Sequence, residues 1–373
     1  MATRTKSKKD SDTPPLTPDQ ILRLENRPAA ARMPEDLATA LTHRRVEITS
    51  LDGWREDLSI TRHAEEKRAR GVRLKRAVVG IPGRSARRIN PRRLKPSKAD
   101  LMPHVPEWSE RIYHPKHSVI PPWIWRPVTR EDKIGGLFWG VFGNDDRQVY
   151  YPSGYPWHCV GRIFAWNDLN ASFPSWWGSG VLIGPRLVLT AGHVVPWDGT
   201  TWGMQFVPAY YDGDSVIGSG TSSWVSDAVG WDASFRSRMP NSQDIAVLRL
   251  FEPLGTALGY FGAKTYSPSW NNQGSFYLMG YPAAIASADR PSYEMGIPVL
   301  NVNQSGNFSE IEHHGDNTGG DSGGPFWAFW PDGFPYAVGT VSGGETSASE
   351  DNNVAAGGRA MADLINQART DWP

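Results

Sequence analysis

A serine hydroxyl acts as a nucleophile only when a base takes its proton and preorganised donors meet the oxyanion that forms. The stretch Gly320-Asp321-Ser322-Gly323-Gly324-Pro325 has the residue types for this chemistry. Glycines around Ser322 permit a tight turn in which the backbone N–H groups of Gly320 and Ser322 converge on one point, a candidate oxyanion hole. They also keep side chains out of the space that a carbonyl must enter. A glycine-rich turn holding a serine is common on its own, so the base matters more. Leu187-Val188-Leu189-Thr190-Ala191-Gly192-His193 is an apolar run ending in small residues and then a histidine. Ala191 and Gly192 let the chain turn closely and present the ring at the end of a strand. His158, His313 and His314 have no such setting. The third member is Asp244, directly ahead of Ile245-Ala246-Val247-Leu248-Arg249-Leu250. A carboxylate there is buried by the strand it opens; bonded to one ring nitrogen, it fixes the tautomer and stabilises the imidazolium. Asp198, Asp212, Asp214, Asp227 and Asp232 also lie between His193 and Ser322, and none opens a comparable strand.

The elements that must position these residues are short. From about residue 134 charge thins, and apolar or alternating runs recur between Gly, Pro, Asn and Asp. They are Cys159–Trp166, Gly180–Ile183, Arg186–Thr190, Gln205–Pro208, Ile245–Leu250, Phe276–Met279, Pro298–Val302, Pro325–Trp330 and Ala337–Val341. Many short strands over this length argue for an all-β barrel or sandwich. Met361, Leu364, Ile365 and Ala368 recur at helical spacing, so the region closes with a helix over 358–368. The chain order His, Asp, Ser then gains weight, because it is the order of this geometry found on paired β-barrels.

The chain has 373 residues with 39% hydrophobic and 21% charged side chains, ordinary for a soluble protein. Seventeen Trp and 30 Pro favour a β-rich, loop-rich fold over a helical bundle. The longest apolar runs are too short to span a bilayer. The N-terminus is basic with no apolar stretch behind it, so no conventional secretory signal is expected. The single cysteine, Cys159, excludes an intrachain disulfide and Cys₄ or Cys₂His₂ zinc sites, and is expected as a small buried hydrophobe.

A net charge of zero conceals an asymmetry. Residues 1–132 hold 28 Lys/Arg against 17 Asp/Glu, whereas residues 133–373 hold 11 against 22. Most of the excess lies in 62–98, where 14 basic residues face only Glu65 and Glu66. Such a block is a candidate nucleic-acid or anionic-membrane patch. It lacks interleaved aromatic residues for base stacking, and the preferred reading is a segment that docks on the acidic half of its own chain. The first 20 residues read as a disordered tail. Mixed helical signals follow over 34–79, with Asp36 to Leu41 and Ala64 to Arg76 the clearest, and a proline-dense, extended segment runs from Ile81 to about Pro127.

Three other classes compete with a hydrolase of this kind. A protease-fold binding protein would normally lack a member of the triad, and all three are present. An esterase on an α/β-hydrolase fold would use Gly-x-Ser-x-Gly, which 320–324 matches. That fold needs the order Ser, Asp, His and a helix where Pro325 stands. A nucleic-acid-binding protein would be led by 62–98.

The Thr190-Ala191-Gly192-His193, Asp244-Ile245-Ala246-Val247-Leu248 and Gly320 to Pro325 segments resemble those of the chymotrypsin-like (trypsin-fold) serine endopeptidases. Gly143-Asn144-Asp145-Asp146-Arg147, Tyr155-Pro156, Gly180 to Pro185, Gly280-Tyr281-Pro282 and the terminal helix are similar to the bacterial glutamyl-endopeptidase (V8-like) branch. The resemblance covers roughly 141–373. It implies two packed six-stranded antiparallel β-barrels with a C-terminal helix, preceded by an irregular or helical basic N-terminal region, and an active site between the barrels. This divides the chain into an extension over 1–132 and a protease domain over 133–373. It also implies peptide-bond hydrolysis through an acyl-enzyme, with no cofactor and no metal, and leaves secretion open.

By the same resemblance, Ser342-Gly343-Gly344 would pair with the backbone of a peptide or protein substrate. The glutamate-specific enzymes carry a histidine two residues before the paired glycines, where this chain has Val341. Asp316, with Asn317 beside it, falls where trypsin has the aspartate at the bottom of its pocket, so Lys or Arg preference is an expectation. The resemblance further implies a zymogen. A new N-terminus at Val141 would give an amine that Asp321 could accept, and 1–132 would be a prosegment. Lys133-Ile134-Gly135-Gly136 also has the look of an activation site.

Overall fold

The computed structural model describes residues 13–42, 44–49, 55–60, 80–90, 93, 94, 96, 100–118, 140–231, 241–346 and 351–373. The strands that matter here are β1 (Ser85–Ile89), β2 (Gln148–Tyr151), β3 (Val160–Trp166), β4 (Trp176–Gly184), β5 (Leu187–Thr190), β6 (Gly203–Pro208), β7 (Ser223–Trp231) and β8 (Ala246–Leu250). They are followed by β9 (Phe276–Gly280), β10 (Ser292–Ile297), β11 (Val299–Ser305), β12 (Phe308–His313), β13 (Pro325–Phe329), β14 (Pro335–Thr346), β15 (Asp351–Gly357) and the helix α1 (Arg359–Asp371).

Strands β8, β5, β4, β3, β6 and β7 are hydrogen-bonded in that order, and β7 pairs back with β8. Six antiparallel strands thus close a barrel, which leaves no open edge. Val181, Leu182, Leu187, Val188, Leu189, Val247 and Leu248 on its strands are all fully buried. Strands β5 and β8 are almost wholly apolar because they are covered on both faces, and for that reason their sequences are continuous hydrophobic runs.

The second sheet runs β11, β12, β15, β14, β13, β9, β10. Strands β10 and β11 are separated only by Pro298, so they are halves of one bent strand. The first half pairs with β9 and the second with β12, and this closes a second six-stranded ring. Proline suits the corner because it has no N–H to give to either ladder. Phe276, Leu278, Ile311, Phe326, Val338 and Val341 pack within this sheet. Strand β2 extends it beyond β10. The all-β architecture and the closing helix are therefore as expected. α1 buries Met361, Leu364, Ile365 and Ala368, the four residues whose spacing announced it.

The described parts of the N-terminal region pack on the barrels. β1 pairs in parallel with β7 over Asp227–Trp231, taking the edge that β6 holds only at Ser223 and Trp224. In the described part of 62–98, Arg84 lies over the ring of Phe251 and Arg88 over that of Trp197, so these two arginines meet aromatic rings. Residues 62–79, with the helix expected over 64–76, lie outside the described residues. The helix expected at Asp36–Leu41 lies within a helix at Glu35–Thr42. Residues 13–20, expected to be disordered, are held: Leu16 N–H donates to Phe329 O at 2.8 Å, and Thr17 caps a short helix at Pro18–Ile21. The cause is apolar anchoring, since Ile21 is buried in the same core as both barrels, along with Leu41, Leu101, Ile112 and Tyr113. The boundary drawn at 132/133 falls outside the described residues. No helix among the described residues is long and apolar enough to cross a membrane.

Candidate active site

Strand β5 ends at Thr190, and the chain turns through Ala191 and Gly192 into a single 3₁₀ turn that carries His193. Space is tight at Gly192, where a Cβ would sit 3.1 Å from Asp244 Oδ1. β8 pairs with β5 from Ala246↔Thr190 onward, so the residues just beyond that pair, His193 and Asp244, meet at one end of the ladder. Asp244 Oδ1 accepts the backbone N–H of His193 at 2.8 Å, and Oδ2 accepts from His193 Nδ1 at 2.7 Å. An ionised carboxylate has no proton to give, so Nδ1 is the protonated nitrogen and Nε2 is left with its lone pair. Asp244 is buried, as the strand behind it predicts. It receives a third hydrogen bond, at 2.6 Å, from the hydroxyl of Ser342. Ser342, whose backbone is expected to pair with substrate, steadies the carboxylate through its side chain.

Ser322 comes from the second barrel, in the loop that leads into β13. Ser179 on β4, a residue with no sequence signal of its own, hydrogen-bonds this loop to the first barrel. Ser179 N–H donates to Ser322 O at 2.8 Å, and its hydroxyl donates to Gly320 O at 2.7 Å. The same hydroxyl accepts from Tyr281 N–H at 2.8 Å, while Ser179 O accepts from the hydroxyl of Thr190 at 2.8 Å. One buried serine therefore ties the nucleophile loop to the strand that ends in the histidine. Gly178 shows how close the two are, because a Cβ there would lie within about 3 Å of both Ser322 O and the side chain of Val194. Gly323 likewise packs its backbone against Thr190 and Ala191 at a φ of +85°.

Gly320 adopts a φ of +103°, where any side chain would be strained and would strike Tyr281 O at 2.3 Å. Asp321 N–H bonds Thr318 O, Gly323 N–H bonds Val341 O and Gly324 N–H bonds Asp321 O. Neither Gly320 N–H nor Ser322 N–H has an acceptor among the described residues. Those are the two donors expected to receive an oxyanion.

Of the expected substrate-binding residues, Val341 is buried in the second barrel, and Gly343 and Gly344 pair with Val354 and Asn353 on β15. On the other side of β14 the ladder to β13 stops at Pro325↔Thr340. On that side Val341 N–H donates to Gly324 O and Val341 O accepts from Gly323 N–H, both at 2.8 Å. Asn317 is buried; its N–H donates to Gly140 O at 3.2 Å, and its side-chain Nδ2 has no acceptor among the described residues. Asp316 spends both carboxylate oxygens on the segment before β2, accepting Phe142 N–H at 2.7 Å and Asp146 N–H at 2.9 Å. It braces a loop, with its carboxyl pushed up by burial and pulled back by those N–H groups.

Arg147 was also missed. Its guanidinium is buried, donating from Nε and Nη2 to Asp145 and from Nη1 to Thr318 Oγ1 at 2.8 Å and Asp321 Oδ2 at 3.1 Å. Burial alone would lower its pKa, but the bond to Asp145 and the charges of Asp321, Asp145 and Asp316 outweigh it and hold it above the ordinary value. Burial pushes the Asp321 carboxyl up to about 6, against the pull of Arg147. Nearby, burial raises Glu294 to about 8, and its Oε2 accepts Asp316 N–H at 2.6 Å. His158 and His313 are structural: burial holds them neutral, down to about 4 and about 3. Cys159 is buried, as expected. Among the described residues no cluster of three or more His, Cys, Asp or Glu is arranged to hold a metal ion.

Residues 178–328 match the trypsin-like peptidase domain. The glutamyl endopeptidase of Bacillus licheniformis is 29% identical to the chain over 189 residues, which are 50% of this chain and 54% of that one. The chain thus spans about half the length of this curated relative. A solved Glu endopeptidase overlays 62% of this chain and 100% of its own, at 20% identity and a TM-score of 0.49. Protease Anisep of Arthrobacter nicotinovorans overlays 60% of this chain and 99% of its own, at 20% identity and a TM-score of 0.44. The domain match and the curated relative agree with the resemblance that the serine, histidine and aspartate segments carry.

Proposed function

We propose that this chain, which carries a trypsin-like peptidase domain, is a serine endopeptidase whose nucleophile is Ser322. The observation that carries the reading is the Asp244 carboxylate, buried and bonded to both the backbone N–H and Nδ1 of His193. With its tautomer held in this way, His193 Nε2 takes the proton from Ser322 Oγ as that oxygen attacks the substrate carbonyl. Negative charge passes to the carbonyl oxygen, where the N–H groups of Gly320 and Ser322 receive it. His193, now protonated, returns the proton to the leaving amine as the C–N bond breaks. Water, deprotonated by the same nitrogen, then cleaves the acyl-enzyme. Asp244 stays ionised throughout and stabilises the imidazolium.

The substrate peptide is proposed to add as a strand along Ser342, Gly343 and Gly344. The curated relative is named for glutamyl bonds, but Val341 stands where the resemblance would need a histidine. Both oxygens of Asp316 are already bonded. Neither glutamate nor Lys/Arg preference is therefore carried into the proposal. The test is cleavage of a peptide library by wild type and Ser322→Ala. Loss of about 10³-fold or more in kcat is expected, with the residue coming from binding and the oxyanion hole. Equal turnover by the two proteins would refute the assignment.

A further inference from the structure

Asp321 is the residue before the nucleophile, and its side chain has no exposed surface. A carboxylate in that position needs a cation or it must take a proton. The zymogen expectation supplied the cation as a new amine, made by cleavage ahead of Val141. In the structure the place is filled from within the chain. Arg147 Nη1 bridges Asp321 Oδ2 and Thr318 Oγ1, and Thr318 N–H donates to the same Oδ2 at 2.9 Å. Oδ1 has no donor among the described residues and abuts Gly280, where a Cβ would come within 2.4 Å. The Arg147 guanidinium is thus the one cationic group bonded to Asp321 among the described residues, and it is itself held by a two-pronged bond to Asp145.

The segment that would carry the new N-terminus is engaged elsewhere. Gly140 N–H donates to Asn353 Oδ1 at 3.0 Å, and Gly140 O accepts from Asn353 Nδ2 at 2.7 Å and from Asn317 N–H. Phe142 N–H is bonded to Asp316. Cleavage after Gly140 would part the residue holding these three bonds from the chain that follows it. Parts of the region that cleavage would release belong to the folded body: β1 is a strand of the first barrel's sheet, and Arg88 lies over Trp197, whose Nε1 donates to Gly192 O beside His193.

We infer that Arg147 is the positioning residue that sets the 318–324 loop, so that the oxyanion hole forms in the uncleaved chain. The inference rests on the proposed peptidase reading and adds to it that no proteolytic activation is needed. Arg147 acts through Asp321 on the peptide groups of Gly320 and Ser322. Its loss leaves a buried carboxylate uncompensated next to the nucleophile, and the loop moves or Asp321 takes a proton. The charged groups that face this pair are Asp145, Asp146, Asp316 and Glu294.

The test uses the full chain. Wild type is labelled with a fluorophosphonate, and the labelled species is weighed intact; the label is expected on protein of uncleaved mass. Arg147→Ala is expected to lose about 10²-fold or more in kcat with KM changed far less, as for a lost oxyanion donor. Arg147→Lys is expected to recover part of the loss, and added methylguanidinium to restore Arg147→Ala saturably. Where Arg147→Ala does not fold, Arg147→Lys and the neutral pair Arg147→Met with Asp321→Asn carry the comparison. Hydrogen exchange over 318–324 reads the loop whether or not substrate turns over, and it is expected to quicken in Arg147→Ala. Label or activity confined to a cleaved species would overturn the inference and leave the peptidase reading standing. So would wild-type kcat in Arg147→Ala. If neither cleaved nor uncleaved protein hydrolyses peptides, the peptidase reading fails; unchanged exchange over 318–324 would then sink the positioning role as well, and quickened exchange would sustain it.

Discussion

Ser179→Ala is the sharpest probe of how the two barrels hold one site. The hydroxyl it removes is fully buried and makes two bonds, to Gly320 O at 2.7 Å and from Tyr281 N–H at 2.8 Å. Both partners are backbone groups, and the space of one oxygen is too small for a water to replace it. Leaving a buried polar group unpaired costs about 1–3 kcal/mol, so two should cost about 2–6 kcal/mol. A domain stable by about 5–15 kcal/mol stays folded after such a loss. The backbone bonds of Ser179 to Ser322 O and from Thr190 survive the substitution, so the nucleophile keeps its anchor while Gly320 loses one. Gly320 sits at a φ of +103°, and freeing its carbonyl lets the oxyanion loop relax. Loss of alignment at one donor is expected to lower kcat by about 10- to 100-fold and to change KM little. Urea unfolding followed by tryptophan fluorescence gives the stability change, and initial rates on a peptide give kcat and KM. Ser179→Cys, with a weak S–H donor, is expected between the two. A stability change below about 0.5 kcal/mol together with an unaltered kcat would show that the staple carries no weight, since changes of that size are typical of inert surface sites.

Two further outcomes are expected. Asp316→Asn should leave the P1 preference of a peptide library unchanged while destabilising the protein, because its oxygens serve Phe142 and Asp146; a lost Lys/Arg preference would instead make Asp316 the pocket base. His158→Gln should change how stability depends on pH. His158 is held down to about 4 by burial, so between about pH 6.5 and 4 the unfolded chain binds the extra proton and stability is lost as pH falls. Removing that group should narrow the gap between unfolding free energies at pH 7 and pH 4 by about 3 kcal/mol. Parallel pH profiles for the two proteins would rule this out.

The pairing of His193 with Asp244 was legible because each sits at the end of a local pattern. His193 follows an apolar run through two small residues, and Asp244 heads an apolar run; both patterns reflect burial of the strand behind the side chain. The strands that went unread are those whose burial involves polar residues. β12 reads Phe-Ser-Glu-Ile-Glu-His, yet Glu310 and Glu312 are both buried. Glu310 accepts Ser242 N–H, and Glu312 accepts the side-chain amides of Asn303 and Asn352. Alternation assigns such glutamates to solvent, because it has no access to partners supplied from elsewhere in the chain. β1 was hidden for a related reason: Ser-Ala-Arg-Arg-Ile sits in a basic block and becomes a strand only because β7 offers an edge. Arg147 and Ser179 were illegible in kind. Arg147 lies 174 residues from Asp321, and a Gly-Ser-Gly triplet on a strand gives no sign of which loop it will meet.

That pattern bears on what limits the chemistry. Barrel one contributes His193 and Asp244, and barrel two contributes Ser322, so the proposed catalysis would depend on how the barrels dock. The bonds that cross the seam, Ser342 to Asp244 and Ser179 to Ser322 and Gly320, are within the site itself. A second tie lies far from it. The half-buried Arg369 guanidinium on α1 donates to Ile183 O at the end of β4, to Phe261 O and to Met102 O of the N-terminal region. Burial lowers its pKa to about 10, which leaves it charged at neutral pH and able to hold all three carbonyls. One side chain on the last helix therefore joins the first barrel and the extension. Removing the extension would unload a carbonyl partner of Arg369 and the β1 pairing of β7 together. Physical continuity of this kind supports the inference that the extension stays with the folded body, where it would serve the proposed activity.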